Sequence, residues 1–267
     1  MTPSFRAEGR LSDFFAGLAL PVRAVRVIAN SKQLVLLSFV SSLVTFASLV
    51  ALVWVLGSLT DDFVRRFLFE PTGWLSTLAF WILVVLTFLL ALVVGANILP
   101  VLLLAPLQDP ISEATEEACG DYRAPPFSVN RLLTGTFVAL GHTLLRVTFL
   151  MGGHALLFAL NLIPVAGNAL WTVTSILWTM IWLATEYLDA PMARHLYRFG
   201  DVQRAVMRRL PLCLGFGAAV YVILWVPILN FFFIPLAIVA GTLLFRGLRA
   251  CGSVGAPEGL PGGLAAS

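Results

Sequence analysis

The side chains able to do chemistry in this chain are arginines and carboxylates set against long uncharged stretches. The chemistry they suit is holding an anion rather than breaking a bond. Arg146 stands at the edge of the run Val147–Thr185, which contains no Asp, Glu, Lys or Arg. An arginine in that position must face protein or water rather than lipid, and Glu113, Glu117 and Glu186 are its candidate partners. Asp109, Glu113 and Glu117 recur every four residues and share a helix face, which fits either a solvated acidic face or pairing with arginines. Asp189 and Arg194, just beyond the uncharged run, complete the expected charge network. Arginine offers a planar fork of N–H donors that matches an oxyanion.

The same inventory argues against covalent chemistry. The sequence has no paired intramembrane Asp, no His-Glu metal helix and no Gly-x-Ser-x-Gly turn, so no enzymatic activity is expected. His142 and His154 lie twelve residues apart without a companion ligand, which argues against a metal. Cys119, Cys213 and Cys251 are too scattered for a disulfide framework or a zinc site. No cofactor and no nucleic-acid partner is expected. A net charge of +3, carried almost wholly by arginine, fits loops on one side of a membrane.

The elements that must position these groups are membrane helices. Of 267 residues, 59% are hydrophobic and 12% charged, against roughly 25% charged in a soluble domain. Leu34–Gly57 is uncharged and long enough to span a bilayer. Trp74–Leu107 would reach about 50 Å as one helix, against a hydrocarbon core of about 30 Å. It therefore projects past the membrane or bends near Gly95 and Pro100. Asp109 and Pro110 read as the cap and first position of a separate helix, Ile111–Cys119, and Ser128 as the cap of the next.

Two further uncharged runs are broken near their centres. Val147–Thr185 is interrupted at Pro164, Gly167 and Asn168; Leu210–Phe245 is interrupted at Pro227 and Asn230. Each is either a pair of full crossings or a re-entrant hairpin. Irregular backbone at membrane depth requires protein or a water-filled cavity around it. Asn168 and Asn230 are placed to cap the second half-helices, whose positive dipole ends would then face the tips. A simple structural turn accounts for the same residues.

Two amphipathic surface helices are also predicted. Near the N-terminus Leu18, Val22, Val25 and Ala29 form one stripe, and Arg23, Arg26 and Asn30 another. In Glu186–Arg209 the apolar stripe is Met192, Leu196, Phe199, Val202 and Val206. The expected fold is thus an all-α integral membrane protein with two long transmembrane helices, two broken helical hairpins and amphipathic surface helices. One membrane domain is expected over residues 1–250, with a disordered tail over 251–267; residues 1–10 read as loose, without a signal peptide. The broken runs each return the chain to the side it left. That side holds fifteen of the seventeen basic residues, all but Arg65 and Arg66, which makes it cytoplasmic.

Several segments in order carry a resemblance. They are Ala105–Glu117 (APLQDPISEATEE), Ile163–Gly167 (IPVAG), Glu186–Pro191 (EYLDAP) with Arg194, Gly215–Gly217 (GFG), and Val226–Asn230 (VPILN) with Pro235 and Gly241. The set resembles the CysZ sulfate permease family, which shares a domain with the etoposide-induced membrane proteins, over residues 12–249. The resemblance implies hemi-penetrating hairpins and sulfate uptake feeding cysteine synthesis. It also implies a multi-pass protein of the bacterial inner membrane and homo-oligomers built from opposed protomers. It places the anion at Gly17 and Leu18 with Arg23 and Arg26. The rival reading is a non-transporting membrane scaffold or regulator of the same fold.

Overall fold

The computed structural model describes residues 10–67, 73–120, 129–195, 197–224 and 227–255. Every regular element among them is helical: α1 (Arg10–Leu18), α2 (Leu20–Asn30), α3 (Lys32–Phe67), α4 (Trp74–Ala118), α5 (Val129–Phe158), a 3-10 turn (Ala159–Leu162), α6 (Gly167–Arg194), α7 (Phe199–Arg208), α8 (Leu210–Leu224) and α9 (Pro227–Ala250). Among the described residues, Lys32–Arg66, Trp74–Leu92, Leu144–Leu162 and Phe233–Ala250 are long and apolar enough to cross a bilayer. The protein is therefore an all-α, multi-pass membrane protein. Its helices form two compact units, one of Val40–Ala105 and one of the chain before and after it.

In the smaller unit, α3 and α4 are two long apolar helices. The Leu52 side chain occupies the space that a Cβ on Gly95 would need. The Arg65 guanidinium lies 4.8 Å above the Phe80 ring, a cation–π contact that holds this charge against protein. Thr45 donates to the Ser41 carbonyl at 3.0 Å and Ser48 to the Thr45 carbonyl at 2.8 Å. Hydroxyls satisfied within their own helix are tolerated in an apolar environment. Trp54, Leu75 and Leu90 are among the large apolar side chains on the unit's exterior, the surface that lipid covers in a spanning helix.

The larger unit is built around α9, in which every residue from Ala237 to Leu248 is buried. Leu20 and Ala24 of α2, Leu183, Leu188 and Met192 of α6, Val202 and Val206 of α7, and Leu212 and Phe216 of α8 share its core. Glycines let the backbones approach. Gly215 sits against the Phe14 carbonyl, Gly217 against that of Met180, and Gly241 against that of Tyr187. Small residues at crossing points are how helices associate where no water drives them together.

Several expected boundaries fall elsewhere. Asp109 does not cap a new helix; α4 continues through it to Ala118, because Ile111 and Ala114 are held in the core and packing overrides a local cap signal. Asn168 does not cap α6. The turn before it closes when Ala166 N–H donates to the Pro164 carbonyl at 2.8 Å and Gly167 N–H to that of Ile163 at 3.0 Å. Ala166 is the cap residue, without a side-chain bond, and Val165 takes φ 67° at the apex. Asn230 is not a cap either, since α9 already begins at Pro227, whose fixed φ suits a first helical position. The charged segment Glu186–Arg209 is not one surface helix: α6 runs on to Arg194, and only Phe199–Arg208 forms the amphipathic α7. On α2 the core side is Leu20, Pro21 and Ala24, while Val22 and Val25, like Leu18 at the end of α1, face outward. Residues 1–9, Ser128, Leu196 and residues 256–267 lie outside the described residues. Residues 251–255 fold back onto the helices: Val254 is buried, and the Tyr197 hydroxyl donates to the Gly255 carbonyl at 2.7 Å.

Candidate anion pathway and buried charge networks

The buried charged groups of the larger unit gather into networks. The first joins α4 to the end of α6. Glu116 is buried, and its carboxylate accepts from His195 Nε2 at 3.1 Å and lies 3.4 Å from the Arg194 guanidinium. Arg194 also donates to Ser112 Oγ at 2.8 Å and to the Asp109 carbonyl at 3.1 Å. Ser112 in turn meets Thr242 of α9 at 2.8 Å. One guanidinium fork thus ties α4 to α6, and Ser112 extends the tie to α9. None of the acidic triplet of α4 is buried here: Asp109 and Glu117 are exposed and Glu113 is half-buried, while the neighbouring Glu116 turns inward. Spacing of four singled out Asp109, Glu113 and Glu117; the pair on the buried face is Ser112 and Glu116, also four apart.

The second network lies between α5 and α6. Arg146, buried at 8% exposure, reaches the Asp189 carboxylate at 3.5 Å and donates to the Glu186 backbone carbonyl at 3.2 Å. Its carboxylate on α6 is thus Asp189, one helical turn beyond the nearest sequence candidate, Glu186. A third pair was not singled out from sequence at all: Arg209 reaches Asp13 at 2.8 Å, and its Nε donates to Ser253 Oγ at 3.3 Å.

The residues nominated for anion binding are separated by the break between α1 and α2. Gly17 is a contact residue between helices, set against the Leu212 carbonyl and the Phe216 amide of α8. Leu18 is partly exposed, and Arg23 and Arg26 are exposed on α2. Of the tip residues, Pro164 and Asn168 are exposed and Gly167 is buried, where a Cβ would crowd the Leu160 carbonyl at 2.5 Å. Pro227 and Asn230 are described by backbone alone, within the first turn of α9.

Residues 20–235 match the model of the family described as Sulfate transporter CysZ/Etoposide-induced protein 2.4. The chain belongs to that family. Among curated relatives, a protein named sulfate transporter CysZ from Pseudomonas aeruginosa is 26% identical over 175 residues, 64% of this chain and 71% of the relative. One of the same name from Vibrio cholerae is 25% identical over 187 residues, 69% of this chain and 75% of the relative. A third, from Vibrio atlanticus, is 28% identical over 176 residues, 65% and 68% of the two chains. The match takes in α2 to α8 and most of the buried charge, including Glu116, Arg146, Asp189 and Arg194.

Proposed function

We propose that this CysZ-family protein is a sulfate permease or channel of the bacterial inner membrane, acts as a homo-oligomer, and supplies sulfate for cysteine biosynthesis. The observation that carries the reading is Arg146. A buried guanidinium borders the longest uncharged run of the chain, inside the region that the family model matches. Its Asp189 neighbour offsets part of the charge, and a pathway needs attraction without a permanent trap. Arg23 and Arg26, exposed on α2, are the proposed capture residues, and Gly17 and Leu18 shape the α1–α2 break beside them.

Purified protein in liposomes is expected to admit labelled sulfate above empty vesicles, with chloride and phosphate poor substitutes. Absence of sulfate flux would sink the transport reading and favour a scaffold. Arg23→Ala with Arg26→Ala is expected to weaken sulfate binding about tenfold or more, the scale of hydrogen bonds to charged groups. Binding and a melting temperature measured together decide it: unchanged affinity in a folded double variant moves the capture site off α2.

We also propose that the α5–α6 hairpin re-enters. Val165 is fully exposed at its apex and is the natural probe. Val165→Cys, in vesicles whose orientation is fixed by a tag, is expected to react with an impermeant maleimide from the side that carries α7. Reaction from the opposite side alone means that α5 and α6 both cross.

A further inference from the structure

The seam between α5 and α6 holds a row of polar groups without partners, and the charge networks do not account for it. Trp171 Nε1, Ser175 Oγ and Trp182 Nε1 on α6, and Asn161 Oδ1 on the turn, are closed off from the exterior without a hydrogen-bond partner. At roughly 100° per residue, Trp171, Ser175, Trp178 and Trp182 fall within about 60° of one another on α6. That side meets α5 over its first three turns: Trp171 packs on Phe158 at 6.1 Å, Trp178 on Phe149 at 4.6 Å, and Thr179 lies 3.5 Å from His154 Nε2. Trp182, a turn further along the same side, packs on the edge of the core. Met180 and Tyr187, whose carbonyls receive Gly217 and Gly241, lie on the far side against α8 and α9. Trp178 alone in the row has a partner, donating to the Leu150 carbonyl at 3.3 Å, and Gly153 leaves room for its indole.

An N–H or O–H buried in apolar surroundings without an acceptor is costly, and a hairpin flanked by exposed Leu156, Leu170 and Val173 has no bulk water to relieve it. Three such donors on one stripe of α6, the helix whose Asp189 and Glu186 carbonyl meet the Arg146 guanidinium, match a ligand rich in acceptor oxygens. Lipid headgroups do not reach atoms shielded inside the seam. Neutral donors also suit transit, because they replace hydration without adding a charge that would hold the anion.

We propose that the α5–α6 seam is the oxyanion track of this protein, with Trp171, Ser175 and Trp182 as successive donors between the hairpin tip and Arg146, and that the described arrangement is its closed state. This rests on the transport reading above and names its route.

The test keeps ring packing and removes only the donors: Trp171→Phe, Ser175→Ala and Trp182→Phe, with Trp54→Phe on the exposed face of α3 as control. Sulfate flux and half-saturating sulfate are measured in proteoliposomes, and indole fluorescence is followed during a sulfate titration in detergent. Each track variant is expected to lose about three- to tenfold in flux per donor, the scale of one neutral hydrogen bond. The control is expected to match wild type, and the two Trp→Phe track variants to lose most of the sulfate-dependent fluorescence change. Folded variants with wild-type flux and half-saturation overturn the track while leaving transport standing. A wild type without flux, whose fluorescence still responds to sulfate through Trp171 and Trp182, keeps the track as a binding site and overturns transport. Neither flux nor response overturns both.

Discussion

Glu116→Ala is expected to lower stability by about 3–5 kcal/mol, the scale for removing one partner of a buried ion pair. The carboxylate faces two donors at once, His195 Nε2 at 3.1 Å and the Arg194 guanidinium at 3.4 Å, and it is buried. Truncation would leave in place the neutral bonds of Arg194 on α4, to Ser112 Oγ and the Asp109 carbonyl. Those two bonds keep the charge partly solvated and place the effect toward the lower end of the range. Glu116→Gln retains an acceptor and is expected to cost less than the truncation. The decisive comparison is with Glu116→Met plus Arg194→Met, which removes both charges and fills similar volume. That pair is expected to recover most of the loss, because a buried pair returns little beyond its own desolvation. Thermal unfolding in detergent, followed by size exclusion, reads all three. If the double replacement unfolds as readily as Glu116→Ala, the cost lies in packing rather than in an uncompensated charge.

The class of this protein was legible because membrane burial writes a signal over whole segments. Leu34–Gly57 and Trp74–Leu107 are read correctly as helices from composition alone, and the break before α6 follows from Pro164 and Gly167. The ends of elements were less legible, for a physical reason. Asp109-Pro110 and Asn168 have the local chemistry of caps, yet α4 and α6 are positioned by buried residues on either side, and neighbours outvote a cap worth about 1 kcal/mol. The site shows the same division. Arg146 stood out because an arginine beside an uncharged run demands a partner. Glu116 did not, because in an acidic stretch only the three-dimensional neighbour tells which carboxylate turns inward. The α5–α6 seam was hidden for another reason: Trp171, Ser175, Trp178 and Trp182 carry no charge, and a stripe of this kind looks the same from sequence whether its donors are paired or orphaned.

Gly217→Ala is expected to cost about 3 kcal/mol or above, the upper part of the range for overpacking a filled interior. A Cβ at this position would meet the Met180 carbonyl oxygen, its carbon and the Cα, all backbone atoms of α6. A backbone cannot rotate aside as a side chain can, so α8 and α6 must separate. Gly153→Ala is the instructive contrast. Its Cβ would collide with the Trp178 indole, a side chain rather than a backbone, and the expected loss is smaller and falls on the α5–α6 seam. Gly57→Ala meets nothing within 4 Å, and alanine there is expected to stabilise α3 by up to about 1 kcal/mol through helix propensity. Melting temperatures should therefore fall in the order Gly57→Ala, wild type, Gly153→Ala, Gly217→Ala. A Gly217→Ala protein as stable as Gly57→Ala would mean that α6 and α8 are not in backbone contact. The consequence reaches function, because α6 carries Glu186, Asp189 and Arg194 on its last turns. A helix displaced from α8 no longer presents Asp189 to Arg146, so sulfate flux is expected to fall with stability in Gly217→Ala. In Gly153→Ala, where only the seam is disturbed, flux should fall further than stability does.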